Sequence, residues 1–353
     1  MRIGLAYNQR PSDATWSSGA GGRTSPPPAE PIDEYVEWDD PETIEAVGNA
    51  LRVFGDVVYL EAIDDFPTRL RDAKVDFLFN MAEGASGPNR ESHVPAIAEF
   101  LGVPYLGSDP LSLALALHKG RAKEVFVQRG VPTAPAVLVE SEADLERLNG
   151  TTAYPLFLKP IWEGSSKGIA EASHVTSPAE AQERARHLLA TYRQPVLAES
   201  FLPGDEFTAA VLGNGEEAAT LPLIRYKFHT LPRGSLPIMG YEAKWLWDQP
   251  DTEFDIIECP ARISEELAAA LRDAALGAYR ALGCRDWARV DLRLDADGKP
   301  QVLEVNPLPG IMPDPGAHSC LPAAAGAVGM SYDELIQGVT RIAWRRATGS
   351  ELQ

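Results

Sequence analysis

The sequence predicts an α/β fold that takes on α+β character in its C-terminal half, in three parts covering residues 1–117, 118–200 and 201–353. Three observations predict it. Short apolar runs alternate with helical patterns through the first part, as in a parallel sheet covered by helices. From residue 196 to Val305 the chain reads mostly as strands, with one helix at Glu265 to Leu282. Asp297-Gly298 sits between two strand-like runs and reads as a hairpin turn.

Taken in order, Arg2 to Tyr7 is a short strand, and "GAGGRTSPPPAEP", residues 19 to 31, is too rich in Gly and Pro for regular structure. "DDPETIEAVGNALRVFG" has Pro41 near its start, acids in its first turn and Gly55 at its end, and so predicts a helix. "DVVYLEA" and "VDFLFNM" predict strands, and "RESHVPAIAEFLG" a helix closed by Gly102. "PLSLALALHKGRAKEVFVQRG" predicts one long helical stretch, closed by Gly130-Val131-Pro132. "YPLFLKPIWEGSSKGIAEA" predicts two strands around a glycine-serine loop, and "VLAESFLPGDEFTAAVLG" a strand, a turn and a strand. "WARVDLRLDADGKPQVLEV" is the hairpin, and "SYDELIQGVTRIAWRR" a terminal helix.

Composition narrows the function. The 353 residues are 44% hydrophobic and 24% charged, an ordinary globular balance. No apolar run approaches the roughly 20 residues of a membrane span, and "MRIGLAYNQR" turns polar too soon for a signal peptide. Cys259, Cys284 and Cys320 show no paired spacing, which fits a reducing, cytoplasmic compartment. A net charge of −19 argues against nucleic acid and anionic membranes as partners.

Candidate chemistry begins in "VLEVNPLPG", residues 302 to 310. Residues two apart on a strand share a face. Leu303 and Val305 then face a core, while Glu304 and Asn306 face the other way. Asp291 on the partner strand joins them. Two carboxylates and an amide oxygen suit Mg²⁺, which takes one or two carboxylates plus substrate phosphates. A solvated strand face carrying a few acids is the competing reading. No Walker A loop or G-x-G-x-x-G fingerprint occurs. "GSSKG", residues 164 to 168, matches G-x-S-x-G, so a hydrolase with Ser166 as nucleophile and His318 as base is a rival. That elbow needs a helix on exit, whereas Ile169 to Ala172 reads as a strand. A Gly-Ser loop between strands can instead fold its N–H groups over phosphate oxygens. Lys119, Lys159 and Lys244 each sit in an apolar setting, which is costly unless the ammonium meets an anion or snorkels to water. In "AESFLPGDEF", a backbone amide near Leu202 could meet an adenine, and a carboxylate such as Glu206 a ribose.

Seven segments now carry a resemblance: "LALALHKGRAKEVFVQRGVPTAPAVLV", "YPLFLKPIWEGSSKGI", "AESFLPGDEFTAAVLG", "GYEAKW", "CPARI", "RVDLRLDADGKPQVLEVNPLPG" and "HSCLP". In order and approximate spacing the chain resembles D-alanine–D-alanine ligases of the ATP-grasp superfamily, over roughly residues 75 to 340. The resemblance implies an ATP-grasp fold with ATP bound between the second and third parts. By position, Lys119, Lys159 and Lys244 look like phosphate contacts, Glu199 and Leu202 like adenine contacts, and Glu206 like the ribose contact. Asp291, Glu304 and Asn306 look like ligands of two Mg²⁺ ions, with Mn²⁺ able to substitute. In that family a carboxylate attacks the γ-phosphate of ATP, and an amine then displaces phosphate from the acyl phosphate. Arg289 and the Gly310 N–H would stabilise the oxyanion. Ser165, with Ser166 beside it, would lie in the loop over the reaction centre, and Ser319 would hold the acceptor carboxylate. Residues 225 to 250 would form a lid. The implied partners are small-molecule carboxylates and amines, and a homodimer is the expected assembly.

The N-terminal quarter departs from the pattern. The family's Gly-Gly-x-Ser-x-Glu-His segment, whose Glu orients the first substrate's ammonium, is replaced by "AYNQRPSDATWSSGAGGRTSPPP". Its later His-Gly is Glu83-Gly84, its lid tyrosine is Trp245, and seven residues separate Gly310 from His318, more than the family usually has. Glu83, Arg90 and the loop near residues 9 to 25 are therefore expected to build the first-substrate pocket. The expectation is a carboxylate–amine ligase with altered specificity. A true D-alanine–D-alanine or depsipeptide ligase is the second reading, and a nucleotide-binding protein without turnover the third.

Overall fold

The computed structural model describes residues 1–11, 35, 37–150, 153–232, 234–240, 256–314 and 319–352. Three sheets organise them. Arg2–Tyr7 (β1), Asp56–Glu61 (β2) and Phe77–Asn80 (β3) pair in parallel, in the order β2-β1-β3. A parallel sheet needs cover on both faces. Pro41–Leu51 (α1) covers one, where Ile44, Val47 and Leu51 meet Ile3, Leu5, Phe77 and Phe79. Phe66–Ala73 (α2) and His93–Leu101 (α3) cover the other, around Ala6, Leu60 and Leu78.

The long helical stretch expected around His118 is two helices, Pro110–Leu117 (α4) and Lys119–Arg129 (α5). The chain leaves helical geometry at His118 (ψ 85°), whose Nδ1 accepts from the Arg121 N–H as a cap. An unbroken helix would have carried Lys119 round with the helix surface. The break makes it the first residue of α5. Although α5 falls in the stretch 118–200, its Ala122 and Phe126 pack with the C-terminal sheet.

The second sheet is antiparallel, in the order β4-β7-β5-β6, from Ala136–Val139 (β4), Leu156–Pro160 (β5), His174–Val175 (β6) and Val196–Ser200 (β7). Pro178–Tyr192 (α6) packs on Leu156, Leu158, Val196 and Ala198. Alternation turns Phe157, Lys159 and Glu199 to the opposite face. The strand expected at Ile169 to Ala172 is absent. Ser165, Ser166 and Gly168 take positive φ (49°, 62° and 70°), and Glu171–Ser173 then forms a single 3-10 turn before the two-residue β6.

The third sheet runs β11-β10-β8-β12-β13, with Ala219–Thr220 (β9) on β8. It comprises Glu206–Leu212 (β8), Ile224–Tyr226 (β10), Ile257–Glu258 (β11), Trp287–Leu294 (β12) and Pro300–Asn306 (β13). β9, β10 and β11 span only two or three residues, so among the described residues this region holds less strand than its sequence suggests. Glu265–Ala281 (α7) packs Leu271, Ala275 and Tyr279 on Phe207, Val290 and Leu292. The hairpin carries a bulge. Asp291 stands opposite Glu304 but Leu292 opposite Val302, so Leu303 is the extra residue. Val302 and Val305 therefore enter the core, and Leu303 turns to the cleft instead of the core face expected for it.

Cys320–Gly326 (α8) and Tyr332–Thr348 (α9) return to the N-terminal sheet, where Leu335, Ile336 and Val339 join the α1 cluster. Asp286 fastens this junction. It is fully buried, with φ 66°, and accepts from the Gly107 N–H (2.8 Å), Asn214 Nδ2 (2.9 Å) and the Arg346 guanidinium (2.8 Å). Among the described residues no helix is long and apolar enough to cross a membrane. Asp286→Ala strands Arg346 and puts a β-carbon without a local hydrogen bond at positive φ. It should cost about 3–5 kcal/mol, as when one partner of a buried ion pair is removed. A urea midpoint equal to that of the wild type would contradict this role.

Candidate active site

A cleft of about 440 Å³ lies between the second and third sheets, within the roughly 300–1,000 Å³ of small-molecule sites. One end is apolar, lined by Phe157, Ile169, Leu202, Ile238, Met239 and Leu303. The other end is charged, lined by Lys119, Lys159, Arg289, Asp291 and Glu304. A flat base followed by phosphates has this division of chemistry.

The charged end is built from facing strands. Asp291 and Glu304 are directly opposite across β12 and β13. Like charges so placed repel, and the surrounding cations make the pair tolerable. Arg289 shares the Asp291 face two residues away and grips its carboxylate with Nε and Nη2 (3.0 and 2.9 Å). That contact outweighs burial and holds the guanidinium well above its usual pKa. Thr208 Oγ1 (2.6 Å) and Asn306 Nδ2 (3.2 Å) also donate to Asp291. Lys119 Nζ stands 3.3 Å from Glu304 and donates to the Glu163 carbonyl. Burial pushes the Glu304 carboxyl up, but Lys119, Lys159 and Arg289 together hold it near 2.

Glu199 lies in the cleft wall, between Lys123 (2.8 Å) and Lys159 (2.6 Å), all three buried. Burial raises its pKa, but the two ammoniums prevail and lower it. Two lysines share one carboxylate, and they respond differently. Burial lowers both, but Glu199 and Glu304 prevail at Lys159 and hold it above its usual range, whereas burial with the nearby Lys159 prevails at Lys123 and lowers it. The trio carries a surplus positive charge that an incoming anion would relieve. Glu206 pairs with Arg293 (2.8 Å), which also donates to the Leu202 carbonyl (2.6 Å). Burial raises the Glu206 carboxyl despite that partner.

The Gly-Ser loop closes over the charged end. Ser165 lines the cleft, and Ser166 Oγ donates to the Met239 carbonyl (2.8 Å). Glu37 secures the loop from the N-terminal part. It accepts from Arg90 Nη2 (2.9 Å to each oxygen) and from the Gly164 N–H (2.8 Å), and pairs with Lys167 (3.3 Å). Burial pushes the Glu37 carboxyl up, yet Arg90, Lys167 and the Gly164 N–H bring it below its usual range. Across the cleft, Ser319 Oγ donates to the Gly310 carbonyl (2.8 Å), and both residues line the cavity.

Lys119, Lys159, Ser165, Ser166, Glu199, Leu202, Glu206, Arg289, Asp291, Glu304, Gly310 and Ser319 thus line one cavity. Asn306 and Glu83 line a smaller chamber that shares Lys119, Arg289, Glu304 and Gly310 with it. Arg90, expected in the substrate pocket, lines neither. It is committed to Glu37 and the Trp162 carbonyl (2.8 Å). Lys244, Trp245, His318, residues 12–34 of the N-terminal loop and residues 241–250 of the expected lid lie outside the described residues. Sequence reading missed Lys123, Arg293, Lys167 and Glu37. Two of these had a signal: Lys123 follows Lys119 by four on a helix, and Arg293 follows Asp291 by two on a strand. Nothing local marks Glu37, which lies 127 residues from Gly164.

Known proteins resemble this chain in sequence and fold. Residues 125–341 match the family model for the D-ala D-ala ligase C-terminus. A D-alanine–D-alanine ligase of Bordetella petrii is 37% identical over 266 residues, covering 75% of each chain. An uncharacterized protein of Sinorhizobium fredii is 38% identical over 279 residues, 77% of this chain and 76% of its own. The crystal structure of a Bacillus anthracis D-alanine–D-alanine ligase complexed with ATP shares the fold. Its TM-score is 0.70 at 21% identity, over 99% of each chain. Fold and cleft define an ATP-grasp enzyme, an ATP-dependent ligase forming carbon–nitrogen bonds. Within that class, the chain belongs to the D-alanine–D-alanine ligase family.

The Glu199 trio gives a pH test. A carboxylate whose native pKa is lowered stabilises fully above its unfolded value of about 4.3, and that stability is lost as pH falls through the native value. Glu199→Gln should therefore cost about 3 kcal/mol at neutral pH, with the gap from wild type narrowing toward pH 3. Urea denaturation at both pH values checks this, and a gap that does not change with pH would contradict it.

Proposed function

We propose that the cleft holds ATP with its adenine in the apolar end near Leu202 and its ribose at Glu206. Its phosphates would lie against Lys119, Lys159 and Lys244, with Lys123 supporting through Glu199. The observation that carries this reading is the convergence of Lys119, Lys159 and Arg289 on the paired carboxylates Asp291 and Glu304. Asp291, Glu304 and Asn306 supply hard oxygen donors that fit Mg²⁺, and two ions, replaceable by Mn²⁺, belong to the proposal. Bound there, the metal would supply Lewis-acid neutralisation of phosphate charge.

The chain's own residues account for the rest. Cations at the charged end orient the γ-phosphate for attack by a substrate carboxylate, giving an acyl phosphate and ADP. An amine then attacks the acyl carbon, phosphate leaves, and the nitrogen loses a proton as the amide forms. Arg289 and the Gly310 N–H face the developing oxyanion, Ser165 covers the centre, and Ser319 takes the acceptor carboxylate. The substrates are amino-acid-like. D-alanine with D-alanine is the second reading, favoured by the name of the Bordetella petrii relative. A homodimer, a cytoplasmic location and domains divided near residues 117 and 200 complete the proposal. The three separate sheets support that division.

Two measurements test it. Phosphate release from Mg-ATP should require an added amino acid, with mass spectrometry finding an amide product, and Glu304→Gln should lower that turnover more than about a hundredfold. Release indifferent to every amino acid would refute the reading. Lys159→Ala should weaken ATP far more than adenosine, since its contact is to charge, and equal losses would show the assignment to be wrong.

A further inference from the structure

The smaller chamber, about 120 Å³, opens from the charged end and is lined by residues of the N-terminal part. Among the described residues its lining holds more carboxyl groups than cations. Each described cation that lines it already faces a carboxylate: Arg10 faces Asp40 (3.1 Å), Lys119 faces Glu304 and Arg289 faces Asp291. Three further carboxylates, Asp39, Glu83 and Glu91, also line the chamber, and none has a hydrogen-bond or ion-pair partner among the described residues. Glu91 is only 9% exposed, and Asp39 Oδ2 is buried without a partner. A carboxyl buried in this state either keeps its proton or meets a cation, and an entering cation would displace the proton.

Their acidities carry the same strain. Burial and the neighbouring Glu91 and Glu37 raise Glu83 well above its usual range. Burial and Asp40 do the same to Asp39. Glu91 is pushed up to about 7, chiefly by burial, although Arg90 and Lys119 pull it down, and Arg90 opposes the rise of Glu83 as well. A single metal ion is a poor occupant, because no three His, Cys, Asp or Glu side chains among the described residues are grouped to hold one. Spread carboxylates suit an extended organic cation.

We infer that this chamber selects a carboxylate substrate with a second cationic group, a diamino or guanidino acid, held at that end by Glu91, Glu83 and Asp39. Its reacting carboxylate sits at the shared wall of Lys119, Arg289, Glu304 and Gly310. A simple amino acid brings one ammonium and leaves two of the three carboxylates unmatched. An added ammonium or guanidinium matches another. This inference rests on the ligase reading above and names the substrate class for the same site.

The test compares isosteres. Phosphate release from Mg-ATP is measured with the wild-type protein and each enantiomer of ornithine, arginine, norvaline and alanine. At least one cationic acid should exceed norvaline of the same hand by about a hundredfold in kcat/KM, the scale of one hydrogen bond to a charged group. In Glu91→Gln and Glu83→Gln, tested separately, that ratio should fall toward one. Norvaline or alanine matching or exceeding the cationic acids would overturn the inference while leaving the ligase reading intact. Release with no amino acid of either kind would overturn both. The wild-type ratio decides even if a variant fails to fold.

Discussion

Lys159 and Glu199 meet at 2.6 Å in the wall of a cleft, and neither could remain charged there alone. Taking one such ion out of water costs several kcal/mol, and only a close opposite charge offsets it. The cleft repeats this constraint in Lys123, Lys119 with Glu304, Arg289 with Asp291, and Arg293 with Glu206. Each cation comes from an element whose other face is apolar and packed. Lys159 stands on β5 behind Leu156 and Leu158, and Arg289 on β12 beside Val290. The sheets hold the charges in place, and Lys123, on a helix packed against the third sheet, reaches Glu199 on the second.

Such pairing leaves the site ready for an anion. The lysines that share Glu199 carry more positive charge than one carboxylate balances, and Glu304, although burial raises it, is held to a pKa of about 2 by three cations. A polyphosphate with its metal adds negative and positive charge together, so it can exchange for these internal contacts without a large change in net charge. The Gly-Ser loop is fixed above the same point by Glu37, which joins the N-terminal part to the reaction centre. The chamber beside it is different in kind. Asp39, Glu83 and Glu91, which line it, have no hydrogen-bond or ion-pair partner among the described residues, and the inferred cationic substrate group would supply one.

Much of this was legible in the sequence because it follows from short periods. Alternation set Asp291, Glu304 and Asn306 on one polar face, and Asp297-Gly298 marked the hairpin that pairs their strands. Lysines in apolar runs marked Lys119 and Lys159. Legibility failed where a local irregularity overrode the period. The bulge at Leu303 moved that side chain from the expected core to the cleft, and the break at His118 divided one expected helix into two. It failed also where partners are distant in sequence. Arg90 was expected to touch substrate, but Glu37, 53 residues away, claims it. The third failure was β6, which is shorter and later than expected, following Ser165 and Ser166 at positive φ and the 3-10 turn at Glu171–Ser173.

The central claim is that a substrate carboxylate is activated by phosphoryl transfer within this cleft. An isotope experiment tests it most directly. The amino acid that supports turnover is labelled with ¹⁸O in its carboxylate, and the inorganic phosphate released with the amide product is examined by mass spectrometry. An acyl phosphate requires one labelled oxygen to move from each activated carboxylate into phosphate. Amide product accompanied by unlabelled phosphate would contradict the account.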